Sequence, residues 1–218
     1  MSTLPRPSLG AGIDPRAAVR RLRVADPELA ALIHAVGPFR LSLDTAPTAF
    51  ANLATAIVYQ QLSPRAAATI FQRFCAALSG DGTCPTAAQL LAAPEAALDG
   101  VGLSTSKRRA IRELAQAEMD GELPGLAALA AMDDAEVIER LVERRGIGRW
   151  TAEMFLIFRL GRPDVLPVGD YGLRRGFQIA FSTPEMPSPA EVAARGLRWA
   201  PTRTVASWYL WRALEVGR

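Results

Sequence analysis

The segment 141–176 restricts the fold of this chain more than any other: LVERRGIGRWTAEMFLIFRLGRPDVLPVGDYGLRRG. Apolar residues recur at helical spacing over 134–144, and 151–160 is a second, strongly apolar helical stretch. Between them, Gly146 and Gly148 permit a tight turn and the close approach of another backbone. The segment therefore predicts two helices joined by a Gly-x-Gly turn.

The start of the second helix is a candidate anion-binding site. Its first backbone N–H groups have no partner within the helix, and the helix dipole favours negative charge there. Arg144, Arg145 and Arg149 crowd the same turn. A bare Gly-x-Gly more often marks an ordinary turn between helices, so the short motif does not decide between the two interpretations.

The longer string GIGRWTA after an apolar helix resembles the helix-hairpin-helix element of the DNA glycosylase superfamily. Asp170, about twenty residues further on, lies where that family has its catalytic aspartate. The chain is most similar to the 3-methyladenine DNA glycosylase II branch, over roughly residues 48–212. Arg145 stands where the family usually has proline, from which we expect altered phosphate contacts and an intact turn.

Length and composition agree with the fold that the resemblance implies. The 218 residues are enough for a substantial core, and an Ala-, Leu- and Arg-rich chain with little β-branched alternation predicts an all-α protein. The resemblance implies a two-lobed helix-hairpin-helix glycosylase fold with the active cleft between the lobes. The expected parts are a flexible tail over 1–14, a terminal lobe over 15–47 and 163–218, and a central bundle over 48–162 with the hairpin at about 137–160.

Proline, serine and threonine at helix starts divide the chain into short helices. The predicted helices are 15–24, 27–36, 47–61, 64–78, 86–93, 94–99, 104–119, 134–144, 151–160, 171–181, 189–199 and 201–216. The segments GDGTCP and STPEMPSPA are predicted loops.

Composition excludes several kinds of site. Cys75 and Cys84 are the two cysteines, too few for the four-cysteine iron–sulfur cluster that some family members carry. His34 is the one histidine, so no metal site built from side chains is expected. Family hairpins often hold a monovalent cation on backbone carbonyl oxygens, which we keep as an expectation. Without a signal peptide or an apolar run of about 18 residues, we expect a cytoplasmic protein, nucleoid-associated if bacterial.

Positive charge is concentrated in the part of the chain that contains the hairpin. Residues 140–218 have 13 arginines against 7 acidic residues, whereas 1–139 have 12 basic against 15 acidic residues. This asymmetry is typical of a DNA-facing surface, although the strong preference for arginine over lysine also fits a compositional bias. With the resemblance, we expect a monomer that binds duplex DNA containing alkylated bases.

Asp170 and Trp150 define the implied chemistry. Asp170 precedes a predicted helix, so an N-capping role stands beside the catalytic role that the resemblance implies. A fixed carboxylate can stabilise the positive charge that develops on the sugar as an N-glycosidic bond breaks, or it can activate the attacking water. Trp150 occupies the position where bifunctional relatives carry a Schiff-base lysine. The resemblance therefore implies a monofunctional glycosylase, with a core position as the alternative for Trp150.

Alkylated purines such as 3-methyladenine and 7-methylguanine carry positive charge, which aromatic faces attract. The target base must leave the stack to be reached, so the enzyme needs a pocket that accepts it. Because the base is cationic, aromatic side chains suit the walls of this pocket. The resemblance to the family implies that Trp211 lies at this pocket, with Trp150 and Tyr171 near it. Tyr59 is a further candidate for the pocket, whereas Trp199 and Trp208 are assigned to the core.

The flipped base leaves a gap that a side chain of the QQLS turn fills in the family. Gln61 is the first candidate for this wedge and Leu62 the second; exposed-turn and core positions are the alternatives. The residues expected to contact DNA are Gln61, Leu62, Ser63, Gly146, Gly148, Arg149, Thr151 and Arg203, with Arg65, Lys107 and Arg108 as further phosphate contacts.

Two other functions stand beside alkylbase excision. A glycosylase for oxidised, deaminated or mismatched bases would have a pocket rich in hydrogen-bonding side chains. A non-catalytic DNA-binding module would use the hairpin only to hold phosphate, and its function would not depend on the Asp170 carboxylate.

Overall fold

A computed structural model describes residues 14–80 and 82–216 of the chain. Among these residues there are helices and no β-strands, which confirms the all-α prediction. The α-helices are α1 Pro15–Ala25, α2 Pro27–Val36, α3 Ala49–Tyr59, α4 Pro64–Leu78, α5 Ala87–Ala92, α6 Thr105–Met119, α7 Leu126–Ala131, α8 Asp134–Val142, α9 Arg149–Met154, α10 Tyr171–Ala180, α11 Pro189–Gly196 and α12 Arg203–Val216. Two 3₁₀ turns, Glu95–Leu98 and Leu197–Trp199, and a π-helical turn, Phe155–Arg159, complete the set.

The chain divides into two compact units. The terminal unit comprises Met1–Leu43 and Leu156–Arg218, and the central unit comprises Asp44–Phe155. These limits lie a few residues from the lobe boundaries inferred from the sequence, and the expected cleft stays a prediction. The expected tail over 1–14 lies outside the described residues except for Asp14, which N-caps α1. Within 14–80 and 82–216, no helix combines the length and apolarity needed to cross a membrane.

The terminal unit is organised around α12. This helix packs against α10, α2 and α1, and it is buried over most of its circumference from Thr204 to Ala213. A helix that is apolar nearly all round belongs in the interior of a domain. Trp199 and Trp208 are both buried here, which confirms their assignment to the core.

Asp26 joins the helices near the N-terminus to those near the C-terminus. Its fully buried carboxylate N-caps α2 and receives two hydrogen bonds of 2.8 Å from Arg195 and one of 3.0 Å from the Trp199 indole. Burial alone would raise the pKa of this carboxyl group, but hydrogen bonds from Arg195, Trp199 and the Leu29 backbone hold the pKa below its ordinary value. The carboxylate is therefore ionised at neutral pH and pairs with a cation, as a buried charge must.

The packing of α10 on α12 requires glycine at one position. A Cβ at Gly176 would lie 1.8 Å from the carbonyl oxygen of Leu210, much closer than any real carbon–oxygen contact. The absence of a side chain at Gly176 therefore sets the distance between the two helices. This close approach brings the N-terminus of α10, where Asp170 lies, beside α12.

The central unit contains α3 to α9. Its α6 packs against α3 and α5, with Ile111 and Leu114 fully buried on the inner face. Proline at the first position of α4 and the Ser63 side-chain cap start that helix at the predicted residue. The helix α7 was not predicted, because its N-cap residue, Gly125, makes no side-chain capping bond and its Ala/Leu sequence carries no clear start signal.

Candidate functional site

The predicted helix-hairpin-helix is present in the central unit. Helix α8 ends at Val142, and α9 begins at Arg149 after a turn that contains both glycines. Gly146 has a φ of 80°, and a Cβ at this position would lie 2.9 Å from the Cβ of Ala110 in α6. Gly146 is therefore needed both for its left-handed backbone and for the close approach of the turn to α6.

The N-terminus of α9 has no side-chain cap, because its N-cap residue is Gly148. Two neighbouring arginines form ion pairs with different carboxylates. Arg149 pairs with Glu153 at 3.0 Å, and Arg145 pairs with Glu113 at 2.8 Å. Both members of the Arg145–Glu113 pair are partly exposed, and an ion pair of this kind contributes little to stability. Glu153 is buried, so the exposed Arg149 pairs with a carboxylate that is shielded from solvent. The turn forms with Arg145 at the position where proline was expected.

The QQLS turn follows α3 in the same unit. Gln61 has a φ of 55°, in the left-handed region that costs a residue other than glycine about 1–2 kcal/mol. Gln61, Leu62 and Ser63 are all exposed, and the Ser63 hydroxyl caps α4. An exposed, strained turn fits the expected wedge better than the core position considered for Leu62.

Lys107 and Gln60 bind this turn to its surroundings. The Lys107 ammonium donates to the carbonyl oxygens of Val58 at 2.8 Å and Gln60 at 2.7 Å. The Gln60 amide donates to the carbonyl oxygen of Gly146 at 2.8 Å. Burial lowers the pKa of Lys107. The sequence alone did not indicate this contact with two backbone carbonyls, and the phosphate contact expected of Lys107 stays a prediction.

Asp170 lies in the terminal unit, where the structure gives its carboxylate two roles. Its Oδ1 accepts a 2.6 Å hydrogen bond from the Leu173 backbone N–H, so Asp170 is the N-cap of α10. The same oxygen accepts a 2.8 Å hydrogen bond from the indole N–H of Trp211. A Cβ at Gly172 would lie 3.3 Å from Oδ1 and 3.5 Å from the Trp211 ring, so glycine there leaves room for the pair.

An aromatic surface adjoins this carboxylate. The Trp211 ring stacks on Phe158, with ring centroids 5.7 Å apart and planes inclined by 26°. Tyr171, directly after Asp170, is 71% exposed. Phe158 was missed from the sequence because its position in an apolar helical run is typical of core. Its place in the π-helical turn and its stacking across 53 residues of chain are tertiary features.

The remaining sequence candidates lie elsewhere in the units. Trp150 and Tyr59 belong to the central unit and are 48% and 39% exposed, so Trp150 is not a core residue. Their membership of one pocket with Trp211 stays a prediction. Arg203 makes a bidentate ion pair with Asp164, at 2.8 and 2.7 Å, and a phosphate contact from it would have to share that guanidinium.

A cavity of about 690 Å³ in the terminal unit is separate from this site. It is lined by residues that include Arg16, Arg20, His34, Phe39 and Tyr209. Tyr209 and Trp211 are two residues apart on α12, which places them about 200° apart around the helix. The cavity therefore opens on the other face of α12 from the Trp211–Asp170 pair.

Comparison with known proteins identifies the family of this chain. The sequence matches the HhH-GPD superfamily of base excision DNA repair proteins over residues 54–202, more than half of the chain. The chain belongs to this family, which confirms the predicted family and fold.

The similar proteins include 3-methyladenine glycosylases. DNA-3-methyladenine glycosylase 1 of Schizosaccharomyces pombe is 34% identical over 168 residues, which are 77% of this chain and 73% of that protein. The solved structure of S. pombe Mag1 in complex with abasic DNA has a TM-score of 0.81 at 33% identity, and the match covers 90% of this chain and 95% of that chain. A DNA-3-methyladenine glycosidase structure from Bacillus halodurans also has a TM-score of 0.81, at 37% identity over 90% and 88% of the two chains.

The two hairpin glycines provide a first test of the geometry. Gly146→Ala should lower the free energy of unfolding by about 1–3 kcal/mol, because it strains the left-handed backbone and crowds Ala110. Gly148→Ala is the matched control, since its φ is −92° and a Cβ there meets nothing within 4 Å. Urea unfolding followed by circular dichroism measures both; equal losses would contradict the close approach at Gly146.

Proposed function

We propose that the chain is a monofunctional DNA N-glycosylase that flips alkylated purines out of duplex DNA and excises them with water. The family is one of base excision DNA repair proteins, and its similar members include 3-methyladenine DNA glycosylases. Excision of this kind leaves an abasic site and begins base excision repair. The substrates are purines of the 3-methyladenine and 7-methylguanine type.

The observation that carries the proposal is the carboxylate of Asp170. Its Oδ1 is held by the Leu173 backbone N–H and by the Trp211 indole, so the group has a fixed position at the start of α10. The partial positive charge at the N-terminus of a helix interacts favourably with a carboxylate placed there. A fixed anion is what a reaction through a cationic sugar needs.

The reaction breaks one bond and forms another at the sugar C1′. The electron pair of the C1′–N bond leaves with the base, so positive charge develops on the sugar, where the Asp170 carboxylate stabilises it. A water molecule then supplies the oxygen to C1′, and its proton passes to the carboxylate or to solvent. No general acid is required, because an alkylated purine already carries the positive charge that makes it a good leaving group.

The aromatic surface supports the choice of substrate. Trp211, which stacks on Phe158, contacts Asp170 through its indole N–H. The exposed Tyr171 directly follows Asp170 in the sequence. Electron-rich ring faces attract a cationic purine more than its neutral parent base, by about 0.5–2 kcal/mol for each good contact. We assign the same role to Trp150 and Tyr59.

The protein is proposed to act as a monomer that binds duplex DNA through the hairpin. The N–H groups at the start of α9 and the exposed Arg149 suit a phosphate, as does the high arginine content of residues 140–218. The QQLS turn supplies the wedge, from Gln61 or Leu62. A monovalent cation on hairpin carbonyl oxygens stays a prediction, and no step of the reaction uses it.

Asp170→Asn tests the catalytic role directly. Asparagine is also a good N-cap, so the variant should fold and bind duplex DNA like the wild type, while it loses the negative charge. We expect base release to fall by about 10²–10³-fold. Chromatography of free bases after incubation with methylated duplex DNA measures the rate and identifies the released purines.

The same assay separates the alternatives. If the wild type releases oxidised or deaminated bases and no methylated purines, the protein is a glycosylase for that other class of lesion. Duplex binding without release of any base, and with no difference between wild type and Asp170→Asn, would support a non-catalytic binding module.

Borohydride trapping tests the monofunctional reaction. Trp150 cannot form a Schiff base, and the ammonium of Lys107, the one lysine, is bound to two backbone carbonyls. We expect no covalent protein–DNA adduct with borohydride, and intact strands until alkali cleaves the abasic site. A trapped adduct that disappears in Lys107→Met would show instead that this lysine attacks the sugar.

Trp211→Phe tests the hydrogen bond to Asp170 separately from the aromatic surface. Phenylalanine keeps a ring beside Phe158 and removes the N–H donor, and hydrogen bonds to charged groups are worth about 1.5–3 kcal/mol. We expect single-turnover base release to slow by about tenfold or more. Trp208→Phe, on the same helix and away from Asp170, is the control; it should lower the melting temperature and leave the rate near that of the wild type.

A further inference from the structure

Gln61 has an unusual backbone at the turn to which the proposed function assigns the wedge. Its φ of 55° lies in a region that residues other than glycine and asparagine seldom adopt. Its side chain is exposed, so burial of that side chain does not stabilise the conformation. Backbone of this kind persists only where the surrounding structure holds it. The contacts around Gln61 therefore identify the residues on which the shape of the turn depends.

The first of these contacts comes from Lys107, in the first turn of α6. Its ammonium binds the carbonyl oxygens of Val58 and Gln60. The Gln60 carbonyl belongs to the peptide group that precedes Gln61, so the hydrogen bond fixes the peptide plane from which the φ of Gln61 is measured. The Val58 carbonyl lies in the last turn of α3, where carbonyls have no partner within the helix. One ammonium thus ends α3 and orients the peptide that follows.

The second contact joins the turn to the hairpin. The Gln60 amide donates to the carbonyl oxygen of Gly146 at 2.8 Å and lies 3.4 Å from the hydroxyl of Thr151, which is 4% exposed. The turn is therefore held by α6 through Lys107 and by the hairpin through Gln60. All of these residues belong to the central unit.

The identity of residue 107 agrees with this role. The chain uses arginine at 24 of its 25 basic positions, and Lys107 is the exception. An ammonium is a compact donor that can bind two carbonyl oxygens converging from one helix end, whereas a guanidinium is a broad planar fork. The half-buried position of Lys107 suits a contact with backbone more than a contact with phosphate in solvent.

We propose that Lys107 is a positioning residue for base flipping. Together with Gln60, it holds the Gln61–Leu62 turn in its left-handed form before DNA binds, so that the wedge enters the base stack already shaped. The inference rests on the proposed function, because a wedge has a task only in a protein that flips bases out of a duplex. Preorganisation matters because only molecules with a correctly shaped turn can insert the wedge. If the turn has this shape for only a fraction of the time, the apparent affinity for flipped DNA falls by that fraction.

The test compares Lys107→Met with the wild type on two substrates under single-turnover conditions. In methylated duplex DNA the flipped base leaves a gap that the wedge must fill, whereas in the same strand without its complement there is no paired stack to hold open. We expect release of alkylated purines to slow by about tenfold on the duplex and by less than about twofold on the single strand. Lys107→Arg keeps the charge and the N–H donors, and it should retain part of the duplex rate.

Two further variants make the comparison specific. Arg109→Met removes one positive charge from the same helix at an exposed position paired with Glu113, and it should leave the ratio of duplex to single-strand rates unchanged. Gln60→Leu removes the tie to the hairpin and should lower that ratio, which keeps the inference testable if Lys107→Met folds poorly. Equal slowing on both substrates, or a wild-type duplex rate in folded Lys107→Met, would overturn the proposal.

A readout without base release separates this inference from the proposed function. With 2-aminopurine opposite an abasic site in duplex DNA, insertion of the wedge changes the fluorescence of the probe. We expect this change to be reduced in Lys107→Met and Gln60→Leu and retained in Arg109→Met. If the wild type releases no alkylated purine, the proposed function fails and this signal still decides on Lys107. If the wild type releases purines while all variants give its full signal, the inference alone fails.

Discussion

The position of the Asp170 carboxylate depends on a contact between two helices that only glycine permits. Helix α10 approaches α12 at Gly176 so closely that a Cβ would fall 1.8 Å from the Leu210 carbonyl oxygen. Trp211 follows Leu210 directly, and the same approach places its indole nitrogen 2.8 Å from Oδ1 of Asp170. A wider spacing between α10 and α12 would separate the Trp211 indole from the Asp170 carboxylate, even with both residues unchanged.

The central unit uses the same device at Gly146, where the hairpin turn rests on Ala110 of α6. Helix α6 carries Lys107, and the Gly146 carbonyl of the hairpin accepts a hydrogen bond from the Gln60 amide. The close approach at Gly146 therefore brings two elements, α6 and the hairpin, together at the QQLS turn. The hairpin therefore does more than provide the proposed phosphate contact. It also supports the turn that is proposed to enter the base stack.

Local signals in the sequence were sufficient for much of the fold and for part of the site. Asp170 was recognised as a residue before a helix, and α10 begins directly after it at Tyr171, because capping is a contact between residues close in the chain. The partners of Lys107 lie 47 and 49 residues away, and Phe158 meets Trp211 across 53 residues. No local pattern indicates such pairs. The second hairpin helix was also predicted as regular, whereas it changes to a π-helical turn at Phe155–Arg159.

The proposed chemistry uses the charge of the substrate twice. A purine of the 3-methyladenine or 7-methylguanine type is cationic in DNA, so aromatic faces such as that of Trp211 attract it before the reaction. When the C1′–N bond breaks, its electron pair leaves with the base, and the base becomes neutral while the positive charge moves to the sugar. The attraction to the aromatic surface therefore weakens as the interaction with the Asp170 carboxylate strengthens. Binding energy shifts from the base to the sugar along the reaction, which favours the transition state over the bound substrate and also favours release of the free base.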